Sequence, residues 1–136
     1  MNVNCRVQFG KKYESLLLPL LEQIFQEKLT KTKERFDTMD FEGDSCWVEL
    51  KVRSHNYHPS QFKYWLLPYC KTTKEVYRSK NIFFVYYWTS TKQLFILPYS
   101  SQFDSYTVDV PEWKEDRQLQ IYVPATDWEE IRIVET

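Results

Sequence analysis

The stretch Arg35–Arg53, RFDTMDFEGDSCWVELKVR, decides the fold. Val48, Leu50 and Val52 alternate with Trp47, Glu49, Lys51 and Arg53, the two-residue period of a strand with one apolar face. In the segment before it, Met39 and Phe41 alternate with Thr38 and Asp40, and Glu42-Gly43-Asp44-Ser45 between them is a turn signal. The spacing predicts a β-hairpin. With the turn centred on Gly43-Asp44, Thr38 faces Glu49 and Asp40 faces Trp47, so Asp40, Glu49 and Lys51 share one face. A one-residue bulge near the turn would bring Asp37 onto the Glu49 face instead, which leaves Asp37 and Asp40 as rival candidates.

Hard cations such as Mg²⁺ take oxygen ligands, commonly one or two carboxylates with positions left for water and phosphate. An Asp and a Glu from adjacent strands supply such a pair, and the carbonyl of Leu50 lies near enough to be a third ligand for Mg²⁺ or Mn²⁺. Lys51, on the same face, would orient an attacking water or stabilise negative charge building on a phosphorane. The bland reading of Glu49 and Lys51 is an ordinary cross-strand charge pattern on a solvated face. A second Glu-x-Lys, Glu112-Trp113-Lys114, follows Pro111 with no alternating strand around it, so the tripeptide alone carries little weight.

Outward from the hairpin, Leu17, Leu20, Leu21, Ile24, Phe25 and Leu29 recur at near-helical spacing and predict an amphipathic helix over 11–29, opened by Gly10. Pro19 predicts a kink or a late start. Pro59 and Ser60 lead into 60–79, which reads as helical, with Pro68 dividing it into two shorter helices. Asn81 to Thr89, NIFFVYYWT, reads as a central strand buried on both faces, and Gln93 to Pro98 as its return. Thr107–Val110 and Gln118–Val123 read as outer strands, and Thr126–Glu129 fits a capping box opening a short turn. The order predicts an α/β or α+β domain: a mixed central sheet flanked by helices.

The 136 residues suit one domain over 1–136. Cys5, Cys46 and Cys70 form no close-spaced pair, which points to a reducing, intracellular compartment and away from a thiolate zinc site. The apolar run Leu16 to Leu21 is too short to cross a bilayer, so no membrane partner is expected. Residues 51–80 hold seven cations against Glu75 alone, whereas 104–136 hold nine acids against three bases. The basic segment reads either as a track for a phosphate backbone or as a solvated helix face paired with the acidic tail. Arg53, His55, Tyr57, Lys63, Lys71 and Lys74 are its candidate nucleic-acid contacts.

An Asp before a hairpin turn and a Glu-x-Lys on the next strand resemble the core of the PD-(D/E)XK, or restriction-endonuclease-like, nuclease superfamily. Asp37 or Asp40 matches the first element and Glu49-Leu50-Lys51 the second; Phe36 and Met39 stand where a Pro often precedes the Asp. Gly10-x-x-x-Glu14 resembles the opening of the first helix in resolvase-like members, whose Glu joins the active site, with Glu22 a weaker substitute. The likeness covers roughly residues 10–98 and includes small viral and phage nucleases. It implies metal-dependent cleavage of nucleic acid, DNA ahead of RNA, in the cytoplasm or nucleus. Asp37 or Asp40 and Glu49 would hold Mg²⁺ or Mn²⁺, Lys51 would position the water and Glu14 would assist. Many such nucleases act as dimers, so a homodimer is compatible with the resemblance. The rival readings are a nuclease fold without catalysis, serving as a binding or assembly subunit, and a protein-interaction domain using its aromatic surface.

Overall fold

The computed structural model describes residues 3–32, 39–112 and 118–132. Helix α1 runs from Val3 to Phe25 and packs Leu17 and Leu21 inward, one and two turns beyond Glu14 on the same stripe. It begins before Gly10 and ends before residue 29, so Gly10 lies inside the helix and does not open it. Pro19 also lies inside, at the cost of one internal hydrogen bond. The helix stops where Gln26 takes a positive φ of 56° and the Glu27 N–H returns to the Glu22 carbonyl at 3.3 Å. Glu22 Oε2 then accepts the Leu29 N–H at 2.9 Å. The carboxylate of Glu22 therefore serves the chain reversal.

Strands β1 (Thr30–Lys31), β2 (Phe41–Glu42) and β3 (Cys46–Arg53) follow. After β4 (Tyr64–Pro68) and the four-residue helix α2 (Cys70–Thr73) come β5 (Asn81–Trp88) and β6 (Gln93–Pro98). Strands β7 (Thr107–Asp109), β8 (Gln120–Pro124) and β9 (Glu129–Ile131) complete the order. The main sheet is six-stranded, β1-β2-β3-β5-β6-β9, with β3 and β5 parallel and the other neighbours antiparallel. The architecture is thus mixed α/β, dominated by strand.

α1 covers one face of this sheet through an aliphatic cluster that includes Leu17, Leu21, Val48, Leu50, Val85 and Ile96. Among the described residues, the other face carries no helix longer than five residues. A second sheet, ordered β4-β8-β7, covers it through an aromatic cluster built on Trp65, Phe84, Tyr86, Trp88, Phe103 and Trp128. β5 sits between the two clusters, which is why its run is apolar on both sides.

The stretch 60–79 departs from the helical reading. Trp65 and Leu67 are buried while Tyr64 is exposed and Leu66 half-buried, a two-residue period that forms β4 against β8. Within the stretch, helical structure survives in α2 and in 3₁₀ turns at Pro59–Gln61 and Glu75–Ser79. A 3₁₀ turn also forms at Ala125–Asp127, though Pro124 before it makes no side-chain cap. Among the described residues, no helix is long and apolar enough to cross a membrane.

Candidate active site

The hairpin pairs Phe41 with Val48 and Glu42 with Trp47, and the Gly43 N–H donates to the Cys46 carbonyl at 2.8 Å. The turn is therefore centred on Asp44-Ser45, one residue later than the sequence reading places it. Gly43 takes no positive φ; a Cβ there would stand 2.1 Å from Glu27 Oε1. Glu27 is fixed in that position by the Ser45 N–H at 3.2 Å, the Ser45 hydroxyl at 2.6 Å and the Cys46 thiol at 2.9 Å. Burial and the Glu27 carboxylate push the Cys46 thiol up to about 12, so it is unreactive as a thiolate.

This register carries Asp40 opposite Glu49, but regular pairing of β2 with β3 stops at Phe41. The Leu50 N–H, which would have bonded the next residue of β2, instead donates to Asp40 Oδ2 at 2.8 Å. N–H and C=O of one strand residue point to the same neighbour, so the Leu50 carbonyl faces the same gap. Asp40 is held from behind as well, because its own carbonyl accepts the Thr32 N–H at 3.0 Å. The adjacent Met39 N–H donates to the Tyr77 hydroxyl at 3.0 Å. The aspartate thus stands fixed where the two strands part.

Glu49 is 3% exposed, with Oε2 lying 3.3 Å from Nζ of Lys71, itself 4% exposed. The other oxygen, Oε1, is buried without a hydrogen-bond partner. Loss of water, then the Glu49 charge and a hydrogen bond shared with Glu49, push Asp40 up to about 8; the Leu50 N–H and Lys51 pull the other way. Glu14 is raised too, first by burial and then by Asp40, against the pull of Lys31, whose Nζ lies 3.3 Å from Glu14 Oε2. Glu14, Asp40 and Glu49 therefore form a row with Asp40 in the middle, set among Lys31, Lys51 and Lys71.

Among the described residues, no three of Asp, Glu, His and Cys are grouped closely enough to hold an ion together. The donors available are the pair Asp40 and Glu49, with the Leu50 carbonyl beside them. Two carboxylates that repel each other, one oxygen with no donor and an open carbonyl fit a hard cation such as Mg²⁺ or Mn²⁺. Asp37 lies outside the described residues.

Glu14 and Leu50 also line a cleft of about 470 Å³ together with Phe9, Gly10, Arg53 and Tyr57. Lys63 lines the next cleft along. His55 is exposed on the turn beyond β3. His58 caps the 3₁₀ turn at Pro59–Gln61, where its Nδ1 accepts the Ser60 N–H. Lys74 lies half-buried between α2 and the following turn. Lys71 is a correction: it is no groove cation but the buried partner of Glu49. Reading 60–79 as a helix gave it a solvated face, and the Trp65–Leu67 alternation was the signal against that. Lys80 pairs with Glu42 of the hairpin at 2.6 Å. Two cations of the basic segment are therefore taken up by the hairpin rather than by the acidic tail. Comparison with protein-family models, curated proteins and solved structures finds no match to this chain.

Proposed function

We propose that this chain is a metal-dependent phosphodiester hydrolase acting on nucleic acid, DNA ahead of RNA. The observation that carries the proposal is the meeting of Asp40, Glu49 and the Leu50 backbone where β2 leaves β3, with Lys51 on the same strand face. The order α1, hairpin, then β5 parallel to β3 supports a restriction-endonuclease-like core, in which the site lies at this opening.

Asp40, Glu49 and the Leu50 carbonyl would hold Mg²⁺ or Mn²⁺, which supplies Lewis acidity toward a phosphoryl oxygen and an acidified water. The chain's own groups do the remaining work. The Leu50 N–H fixes the Asp40 carboxyl through Oδ2, and the carboxyl also meets Glu49 and Glu14. Lys71 holds Glu49 in one orientation through Oε2 and leaves Oε1 unspent. Lys51 places a positive charge beside the carboxylates, where it can orient water and oppose charge developing on phosphate. Glu14, at the cleft wall and in contact with Asp40, is suited to receive or relay a proton.

The test is cleavage of plasmid, single-stranded DNA and RNA in Mg²⁺ and Mn²⁺. Wild type should cut and Lys51→Ala should lose roughly 100-fold or more, with the circular dichroism of both unchanged. Equal absence of cleavage on every substrate would contradict the hydrolase. One observation favours the second reading, a nuclease-fold subunit that binds or assembles without cutting: Glu49 is already paired and almost wholly buried. That reading predicts nucleic-acid binding by wild type and Lys51→Ala alike, with no metal-dependent turnover.

A further inference from the structure

Arg53 and Tyr57 stand in two clefts at once. On one side they close the cleft lined by Glu14 and Leu50; on the other they open a second one of about 650 Å³, walled by Phe62, Lys63, Tyr64 and Tyr122. The Arg53 guanidinium lies 5.7 Å from the centroid of the Tyr86 ring, and its Nε is buried without a hydrogen-bond partner. The head group is thus set at the neck between the clefts.

Tyr57 is 47% exposed yet is the outer member of a series of rings that reaches the core. Its ring lies 5.9 Å from Phe62; Phe62 stacks on Trp88 at 5.9 Å and Trp88 on Tyr86 at 5.7 Å. The Tyr57 backbone is tied down on both sides. Its N–H donates to the Ser54 carbonyl at 3.0 Å and its carbonyl accepts the Ser90 hydroxyl at 2.6 Å. Elsewhere along the cleft, Tyr64 meets Tyr122 edge-on at 6.0 Å, and Lys63 Nζ stands 5.5 Å from the Tyr64 ring.

We propose that this second cleft is a subsite for an unpaired nucleotide, so that the substrate is single-stranded or frayed nucleic acid. The proposal rests on the phosphodiester-hydrolase reading and names its substrate class. A cleft of this size falls within the range of small-molecule sites, roughly 300–1,000 Å³. Exposed aromatic rings bind bases of any identity by stacking, provided the base is free of its partner strand. A base within a duplex is stacked on its neighbours and offers no face to Tyr57. The ring is backed and its loop is fixed, so little ordering remains to be done on binding. Arg53, between the stacking rings and the carboxylates, is placed to hold the phosphate that links the stacked base to the cleavage position.

The experiment is fluorescence anisotropy of a short labelled oligothymidylate and of a hairpin duplex of equal length, in EDTA. The single strand should bind at least roughly ten-fold tighter, and Tyr57→Ala should weaken it roughly 5- to 100-fold while Tyr57→Phe retains affinity. Tyr64→Leu, at a second exposed ring, should weaken the single strand in the same direction. Equal affinity for the two forms, or affinity unchanged in both Tyr57→Ala and Tyr64→Leu, overturns the subsite. Tyr57-dependent binding without cleavage by wild type in Mn²⁺ keeps the subsite and sinks the hydrolase. Duplex cleavage that Tyr57→Ala leaves unchanged does the reverse.

Discussion

The hairpin carries a glutamate–lysine pair at each end, and the two behave oppositely. Near the turn, Lys80 Nζ stands 2.6 Å from Glu42 Oε2, with side chains 24% and 44% exposed. At the open end, Lys71 Nζ stands 3.3 Å from Glu49 Oε2, with side chains 6% and 4% exposed. Distance ranks the first pair as the stronger; environment reverses the order. A pair in water gains little because solvent screens both charges. A dry pair costs much to assemble and more to break, since removing one partner leaves the other charge unsolvated. The two pairs also differ in what surrounds them. The Glu42 pair is closed by Lys80, which also donates to the Gly43 carbonyl at 2.9 Å. The Glu49 pair leaves Oε1 buried without a protein donor and sits against Asp40, where we propose that a cation binds.

The largest expected effect comes from breaking the dry pair. Lys71→Ala should lower stability by about 3–5 kcal/mol in urea unfolding at neutral pH. The double variant Lys71→Met with Glu49→Leu should recover most of that loss, because it removes both charges. A loss below about 1 kcal/mol for Lys71→Ala would mean that the pair is hydrated.

The next effect is in pH. Folded Asp40 keeps its proton up to about 8, whereas in the unfolded chain it titrates near 3.8. Between those values the folded state binds the extra proton, so this contribution is full below about 4 and is lost as pH rises through about 8. Metal-free wild type should therefore lose stability relative to Asp40→Asn across that window, with a limiting slope of about 1.4 kcal/mol per pH unit. Parallel stability curves for the two proteins would contradict the placement of Asp40 beside Glu49.

Two small effects complete the series. Gly10→Ala lies outside both pairs, and its new Cβ meets no atom within 4 Å. It should raise stability by about 0.5–1 kcal/mol through helix propensity, read from the urea midpoint. Lys80→Ala should change stability by less than about 1 kcal/mol despite the shorter contact it removes. If it costs as much as Lys71→Ala, burial is not what separates the pairs.

What the sequence discloses here follows the range of the forces involved. β3, β5 and β6 are readable because alternation, or a run apolar on both faces, records their burial directly. The alternation does not carry through to Asp40: Met39 packs in the aromatic cluster and Phe41 in the aliphatic one, and regular pairing with β3 stops at Phe41. The turn position is not, because Gly43 answers to Glu27, sixteen residues away, rather than to its own φ. β4 hides behind Pro59, Pro68 and a lysine-rich composition; its alternation gains meaning only with β8 as a partner. Lys71 could not be assigned to Glu49 without that second sheet. The basic composition marks Arg53 and Tyr57 only as candidates, and the ring series behind Tyr57 depends on packing between distant segments.

The central claim is that Asp40 and Glu49 form a cation site, and isothermal titration calorimetry with Mn²⁺ at neutral pH tests it most directly. Wild type should bind about one Mn²⁺ per chain and release about one proton, because the cation displaces the proton held by Asp40. Asp40→Asn and Glu49→Gln should each abolish the heat while keeping a cooperative unfolding transition. Absence of binding to wild type, or binding undiminished in both variants, would contradict the account.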